Sequence, residues 1–480
     1  MANLLASLIS SAGTLEAYGR VLETAQNNVA NASTPGYAKQ RTELYALPFD
    51  PQGGATGGVR AGKMESSRNE YAETAVRQQN TAMSYQQQLV DSLTPLQNQF
   101  DISGNQGIPA ALNSLFQSFS AWATTPNNTA TRQTVLDRAQ QVAAAFQQSA
   151  TALGYQATNA EQQVRQTVDE VNHLVGQLAH YNHIALQGNK DDAGLSAQMH
   201  ATLEQLSQYV DVTATFQDDG SVTVLMNGET PLLLEDKQYQ ISAGLTQPQD
   251  PPPNYPNGPA AMQILGSDGT DITSKSTGGQ LGALLQMRNQ VLPSFIGNAY
   301  QQGDLNTMAQ QFADRVNQIL TSGNISDGPP AVTGVPLFTY DATNGTAVAR
   351  SLAVDPTVTT DQLATISPGP PYVSNGVPLA LSQLATPLQD ADKISGISYN
   401  EYYGRLAGRV GGQLNDATDG QQVQQSLLAQ AQDLRQQYSG VSLDEEATIL
   451  LQFQQAYQAN SRFITVLDQL TQATIDILQR

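Results

Sequence analysis

At 480 residues the chain is too long for one compact core, which predicts three or four structural units. Hydrophobic residues make up 40% and charged residues only 13%, so Gln, Asn, Ser and Thr must supply the polar surface, while periodic apolar runs separate the chain from disordered sequences. A formal charge of −20 opposes phosphate backbones and anionic membrane surfaces, and the lack of cysteine excludes disulfides, thiol nucleophiles and cysteine-based metal sites.

No apolar run approaches 18 residues, so no membrane span is expected. No Lys or Arg precedes Arg20, and the apolar stretch from Leu4 to Ile9 is short and broken by Ser7, which does not fit a secretory signal. Composition alone leaves a cytoplasmic location as the default.

From Leu4 to Val29, Leu4, Leu8, Leu15, Tyr18, Leu22, Ala25 and Val29 follow a spacing of three and four with one polar gap at Ser11, predicting one helix with a heptad seam. Pro35-Gly36 ends it, fitting the two central positions of a tight turn. Gly53-Gly54 to Gly57-Gly58 reads as a flexible connector. Helical spacing returns from about Glu65 to Phe100, and Gly104 to Pro109 reads as a loop.

The strongest periodicity runs from Gln133 to Gln187. Phe146, Leu153, Ala160, Thr167, Leu174 and Tyr181 form one seven-residue row, and Ala150, Ala157, Val164, Val171, Leu178 and Ala185 form another. A rod-like helix of roughly 80 Å is expected, its seam closed by another chain or by an ordinary intramolecular core.

Near Tyr209 the period changes to two. Val210, Val212, Ala214 and Phe216 precede Asp219-Gly220, and Val222, Val224 and Met226 precede Asn227-Gly228, predicting hairpins. Pro251-Pro252-Pro253 reads as a stiff linker. Helices are expected over Leu281–Leu292 and Leu305–Leu320, the latter capped by Asp304 and stopped at Gly323. The Pro/Gly/Thr-rich stretch from Gly328 to Val377 suggests a second β-rich insert.

Helical spacing resumes at Tyr399. Ser442 and Glu445 have capping-box spacing, and Asp444, Glu445 and Glu446 place negative charge where the helix dipole favours it. Leu450, Phe453, Tyr457, Ile464, Leu467 and Leu478 share a lattice that also passes through Asn460, Thr471 and Thr474. The predicted fold class is mainly α with β-rich inserts: N- and C-terminal helices forming a coiled-coil pair, a long helical rod domain, and outer β-rich domains.

The expected divisions are 1–60 (N-terminal helix, turn and linker), 61–208 (first part of the helical domain), 209–277 (β-rich), 278–325 (helical), 326–398 (second β-rich insert), 399–440 (returning helical part) and 441–480 (C-terminal helix). Burying about seven seam side chains, at ~2 kcal/mol each, does not repay ordering an isolated helix of this length. The terminal helices are therefore expected to be marginal until each other, or copies of the chain, cover them. The expected assembly residues are Leu4, Leu8, Leu15, Leu22, Val29, Leu450, Phe453, Tyr457, Ile464 and Leu467.

Two motifs carry a resemblance. Asn27, Asn28, Val29, Ala30 and Asn31, followed by Thr34, Pro35, Gly36 and Tyr37, resemble the N-terminal signature of bacterial flagellar rod, hook and hook-associated proteins. Ser439 to Glu446, including Asp444 and Glu445, then Phe453, Gln454, Gln455, Ala456, Tyr457, Gln458, Ala459 and Asn460, resemble the same family's C-terminus. Gly278–Leu285, Val291-Leu292-Pro293 and Leu337–Tyr340, with the long helical region after the first motif, resemble its hook-associated, junction-forming branch. Residues 210–275 and 328–400 carry little of the likeness.

The resemblance implies a structural, non-enzymatic component of the hook–filament junction that is needed for filament assembly. It also implies terminal helices forming an inner tube, and export through the flagellar type III apparatus without a cleaved signal. The partners it implies are further copies of the chain, hook protein on one side, hook-associated protein 3 on the other, and an export chaperone at the C-terminal region. It implies no cofactor, nucleic acid or membrane. Hook protein, or another axial subunit, is the nearest alternative, and an axial protein bearing an enzyme in its β-rich inserts is a further one.

The residues themselves give no phosphate loop, dinucleotide fingerprint, G-x-S-x-G elbow or H-E-x-x-H. His180 and His183 are three apart, with His173 two turns away from the pair, but a third ligand is not evident. Asp191-Asp192 and Asp268 with Asp271 sit in glycine-flanked turns without the twelve-residue calcium pattern. Surface histidines and solvated turns are the simpler readings. No metal site is assigned.

Overall fold

A computed structural model describes residues 2–50, 55–100, 106–246, 253–326, 328, 331–369 and 371–478, with side chains except at 2, 3, 55, 477 and 478. Gly53-Gly54, Gly104 and Pro251-Pro252, and the side chain of Leu478, thus lie outside the described residues.

The two ends of the chain build one module. Helix α1 (Ala2–Ala30) runs antiparallel to the C-terminal helix Leu443–Leu478: Asn28 meets Glu446, Tyr18 meets Phe453, and Asn460 donates to the Ser11 carbonyl. The seam of α1 is therefore partly covered within a single chain: Ala25 is buried, Leu4, Leu8, Leu15, Tyr18 and Leu22 are half-buried, and Val29 stays exposed. Its other flank lies on a β-hairpin of β1 (Gln40–Ala46) and β4 (Val59–Ser66), paired from Gln40–Ser66 to Ala46–Val59 and tipped by β2 (Phe49–Asp50) and β3 (Ala55–Thr56).

Within the stretch read as a flexible connector, Ala55–Thr56 is thus strand, and Gly57-Gly58 link it to β4. The hairpin escaped sequence reading because its residues are mostly exposed or half-buried, which erases the alternation a one-faced strand shows. α1 grips it through polar side chains on one face. Ser10 donates to the Gly57 carbonyl, Thr14 accepts from Val59 N–H, Thr24 and Thr42 share a hydrogen bond, and Asn28 pairs with Gln40. Ala17, Val21 and Ala25 are buried between these anchors.

Helices α2 (Glu70–Gln97), α3 (Gly107–Thr124), α4 (Thr129–Ile184) and α5 (Ala193–Tyr209) follow. Asn69, Asn128 and Asp192 cap α2, α4 and α5 by accepting from the first-turn amides. The 56 residues of α4 span about 84 Å at 1.5 Å per residue. Its apolar rows lie in intramolecular cores. Val135 to Ala160 pack with Trp122, Phe312 and Tyr399, and Val164 to Ala185 pack with Leu203, Leu206, Val222 and Val224. The rod is a shared spine for two cores.

The first β unit is a four-stranded antiparallel sheet in sequence order: β5 (Val212–Phe216), β6 (Val222–Met226), β7 (Thr230–Leu234) and β8 (Lys237–Gln238). Strands β9 (Ser242–Thr246) and β10 (Ala261–Leu265) pair beside it. Asn227 and Gly228 both take positive φ, 51° and 71°, as the tight turn between β6 and β7 requires.

Beyond it come α6 (Gly279–Gln286), α7 (Leu292–Ile296) and α8 (Asp304–Ser322). Asp304 is not the cap of α8. Gly303 holds that position, and the Asp304 carboxylate accepts instead from Arg409 and Tyr402.

Residues 324–354 contribute strands of only two or three residues, β11 (Asn324–Ser326), β12 (Val332–Thr333), β13 (Phe338–Thr339) and β14 (Ala353–Val354), with the short helix α9 (Val348–Ser351). Helix α10 (Gly376–Gln383) leads to α11 (Tyr399–Ser439), which packs along α2 before the terminal helix, α12 (Leu443–Leu478), begins.

One device recurs where strands or loops meet helices. A helical Asn uses its amide to pair with both the N–H and the C=O of one residue, as a neighbouring strand would. Asn28 does so with Gln40, Asn172 with Ile241, Asn182 with Val222, Asn289 with Met262 and Asn317 with Phe338, at 2.8–3.0 Å. In a chain poor in charge and lacking cysteine, this is how β segments are registered on helices.

Candidate assembly site at the joined chain ends

The N-terminal motif is a hydrogen-bonded knot. Asn31 donates to the Asn27 carbonyl and side-chain oxygen, and Thr34 donates to Asn31. Tyr37 closes the turn with its N–H on the Thr34 carbonyl, leaving Pro35 and Gly36 at the centre and Gly36 at φ +71°. The Tyr37 hydroxyl accepts from Asn27 and donates to Asn28 at 2.9 Å. Burial, then the charge of Glu446, push its pKa up, so it stays a donor.

The C-terminal motif locks onto the same knot. Glu446, 1% exposed, accepts from Asn28 at 3.2 Å and pairs with Lys39 at 3.1 Å. Glu445 pairs with Lys39 at 2.8 Å, and that hydrogen bond holds its pKa low. The capping box is therefore half formed: Ser442 accepts from Glu445 N–H, while the Glu445 carboxylate goes to Lys39. Burial alone would lower the Lys39 pKa, but the two carboxylates outweigh it and raise it. Asp444, Gln454 and Ala459 of the motif are exposed.

A second cluster fixes this knot to the helical domain. Gly36 sits so close to α5 that a Cβ would lie 2.2 Å from the Ala197 carbonyl. Arg68 donates to the Gly36 carbonyl at 2.6 Å and pairs with Glu73 at 2.7 Å; Arg435 bridges Glu73 and Glu204. Lys39 N–H donates to the Ser439 carbonyl, Ser67 N–H to the Lys39 carbonyl, and Asn69 N–H to the Ser439 hydroxyl. At the centre lies His200, 3% exposed, stacked on Phe216 at 4.4 Å and 3.5 Å from Glu70. Burial, followed by Arg68, Arg77 and Arg435, holds its pKa well below the ordinary range.

The expected assembly residues divide by face. Leu4, Leu8, Leu15, Leu22, Leu450, Phe453 and Ile464 are half-buried and Leu467 is buried, whereas Val29 and Tyr457 are exposed. Leu5, Ile9, Leu451, Phe463, Val466 and Leu470 form further uncovered apolar positions outside the heptad reading. Lys39, Arg68, Glu73, His200 and Arg435 also escaped sequence reading. A signal existed, since Arg68, Glu70, Glu73 and Arg77 cluster in a chain with little charge.

His183, by contrast, contacts Asp236 and Gln187, and among the described residues no three His, Asp or Glu converge as a metal site. Nor is any helix among them long and apolar enough to cross a membrane.

Residues 93–338, more than half of the chain, match the family described as the flagellar hook-associated protein FlgK helical domain. The chain belongs to the FlgK family. Residues 435–477 separately match the flagellar basal body rod FlgEFG protein C-terminal family, which covers the last turn of α11 and nearly all of α12. Flagellar hook-associated protein 1 of Bacillus subtilis is 26% identical over 99% of both chains, and that of Escherichia coli is 22% identical over 98% of this chain and 100% of its own. The structure of the flagellar hook junction protein FlgK from Burkholderia pseudomallei superposes with a TM-score of 0.63 at 15% identity, covering 77% of this chain and all of that one, and so shares its fold. As a FlgK-family member the chain is a structural protein of the flagellar hook–filament junction, part of the extracellular flagellum, and its neighbours are other axial subunits.

Proposed function

We propose that this FlgK-family chain polymerises through its joined ends into the junction between hook and filament, and that it performs no catalytic step. The observation that carries the reading is the α1–α12 pair, which uses both chain termini yet leaves Leu5, Ile9, Phe463, Val466 and Leu470 uncovered. Such a surface is costly in a monomer and useful in a polymer. The knot at Asn28, Lys39 and Glu446 locks the pair, and the contacts of Gly36 with α5 and of Arg68 with Gly36 and Glu73 give it one orientation relative to the helical domain, which a repeating assembly needs.

On this reading the terminal module of residues 1–66 and 441–480 builds the inner tube, the helices of 67–208, 278–325 and 399–440 form the surrounding layer, and 209–277 and 326–398 face outward. Hook protein lies on one side and hook-associated protein 3 on the other. Export proceeds through the type III apparatus without a cleaved signal, and a dedicated chaperone covers the C-terminal region beforehand. The Cys-free composition and the exposed apolar stripe of α12 support a chain handled unfolded at its ends.

Deleting the chain should leave hooks intact and release filament subunit into the medium. Leu15→Asp should keep the central domains folded and abolish filaments. Filaments of normal length in either strain would overturn the proposal.

A further inference from the structure

Two uncovered features of the terminal module cannot meet within one chain. The first is a cleft of about 440 Å³ between α1 and the hairpin, lined by Ile9, Gly13, Ala17, Leu47, Val59 and Ala61. Nothing comes within 4 Å of where a Gly13 Cβ would stand, so the missing side chain opens the helix side of the cleft. The second is a stripe on α12 formed by Phe463, Val466 and Leu470, each 50–51% exposed and spaced three and four apart on one face.

The stripe cannot reach the cleft of its own chain. On α1, Ile9, Gly13 and Arg20 point roughly 140–180° away from Tyr18, the residue that touches Phe453, so the width of α1 stands between the two features. The stripe is also offset along the pair. Asn460 lies opposite Ser11 in an antiparallel pair, which sets residues 463–470 at the level of the residues before Ile9.

We infer that the cleft receives the Phe463, Val466 and Leu470 stripe of a second copy of this chain. The inference rests on the polymerising role proposed above and supplies its register. Knobs and cleft on opposite faces give a head-to-tail contact, and the axial offset makes successive copies climb, so the contact propagates instead of closing as a dimer. Within residues 456–475 only Arg462 and Asp468 carry charge, so burial of the apolar stripe drives the contact, while Ser10, Glu16, Arg20 and Arg60, which also line the cleft, border it with polar groups.

The chain has no cysteine, so introduced pairs report without background. Full-length chain carrying Gly13→Cys and Val466→Cys is expressed in a deletion strain, and isolated flagella are mildly oxidised. A ladder of dimers and higher multimers is expected on a non-reducing gel, with none from either single variant. Tyr18→Cys with Phe453→Cys should instead close within one chain and proves the oxidation. Monomer alone from Gly13→Cys/Val466→Cys, beside a closed control, overturns the inference while leaving polymerisation standing. Failure of the unmodified chain to restore filaments would sink the underlying role instead.

Should the paired variant not assemble, Gly13→Cys alone is treated with a thiol-reactive label. The thiol should be labelled in purified monomer and lose that labelling in flagella. Equal labelling in both overturns the inference, and protection by hook protein or a chaperone in the absence of other copies does so as well.

Discussion

Asn28 and Gln40 exchange two hydrogen bonds of 2.9 Å, side-chain amide against backbone, so the end of α1 is registered on the hairpin as one strand is on another. Both residues are buried. Asn28→Ala would leave the Gln40 N–H and C=O without these partners, at about 1–3 kcal/mol for each stranded group. Hydrogen exchange should show the Gln40 amide losing protection while those of α4 keep theirs. Unchanged protection at Gln40 would contradict the pairing.

Gly36→Ala tests the dock on α5. The backbone there is left-handed, and the new methyl would overlap the Ala197 carbonyl, so the turn must lift away. Limited proteolysis should cut between residues 33 and 39 faster in the variant, with α1 and α12 still paired. A cutting rate equal to that of the parent chain would show that the turn is free of α5.

Lys39 and Glu446 should behave as a unit. Lys39→Met leaves a buried carboxylate without its cation and is expected to cost roughly 3–5 kcal/mol. Adding Glu446→Gln removes that charge, keeps an oxygen for the Asn28 amide, and should return much of the loss. Denaturant unfolding of the four proteins in a double-mutant cycle measures the coupling, and additive effects would refute it.

His200 predicts a pH dependence of known sign. Its folded pKa lies well below the unfolded value near 6.5, because burial and three arginines oppose a further positive charge. The unfolded chain therefore takes up a proton as pH falls below 6.5 while the folded chain does not. Stability from this group is fully present above that pH and declines below it, by at most about 1.4 kcal/mol per pH unit. His200→Gln should flatten the thermal midpoint between pH 7 and 5 relative to the parent. Identical slopes would place the acid sensitivity elsewhere.

Local regularities were legible in the sequence. The seven-residue rows of α4, the hairpin turns at Asp219-Gly220 and Asn227-Gly228, and the turn at Pro35-Gly36, which follows the end of α1 at Ala30, come from the 3.6 and 2.0 periods and from the φ demands of a turn. The β1–β4 hairpin was not legible, since most of its side chains are exposed or half-buried on both faces. Nor were the bidentate asparagines, because a helical Asn carries no sign of which distant peptide it will meet.

By itself the sequence determined the helices, their apolar faces, and the two end motifs that mark the family, because these depend on neighbours three, four or seven residues away. Only the tertiary structure decided that α1 packs on α12 of its own chain, that α4 serves two cores, and that Arg435 bridges Glu73 and Glu204. Those contacts join residues hundreds of positions apart, and their partners are chosen by three-dimensional packing and by the cost of leaving a buried charge or amide alone, which no spacing rule along the chain encodes.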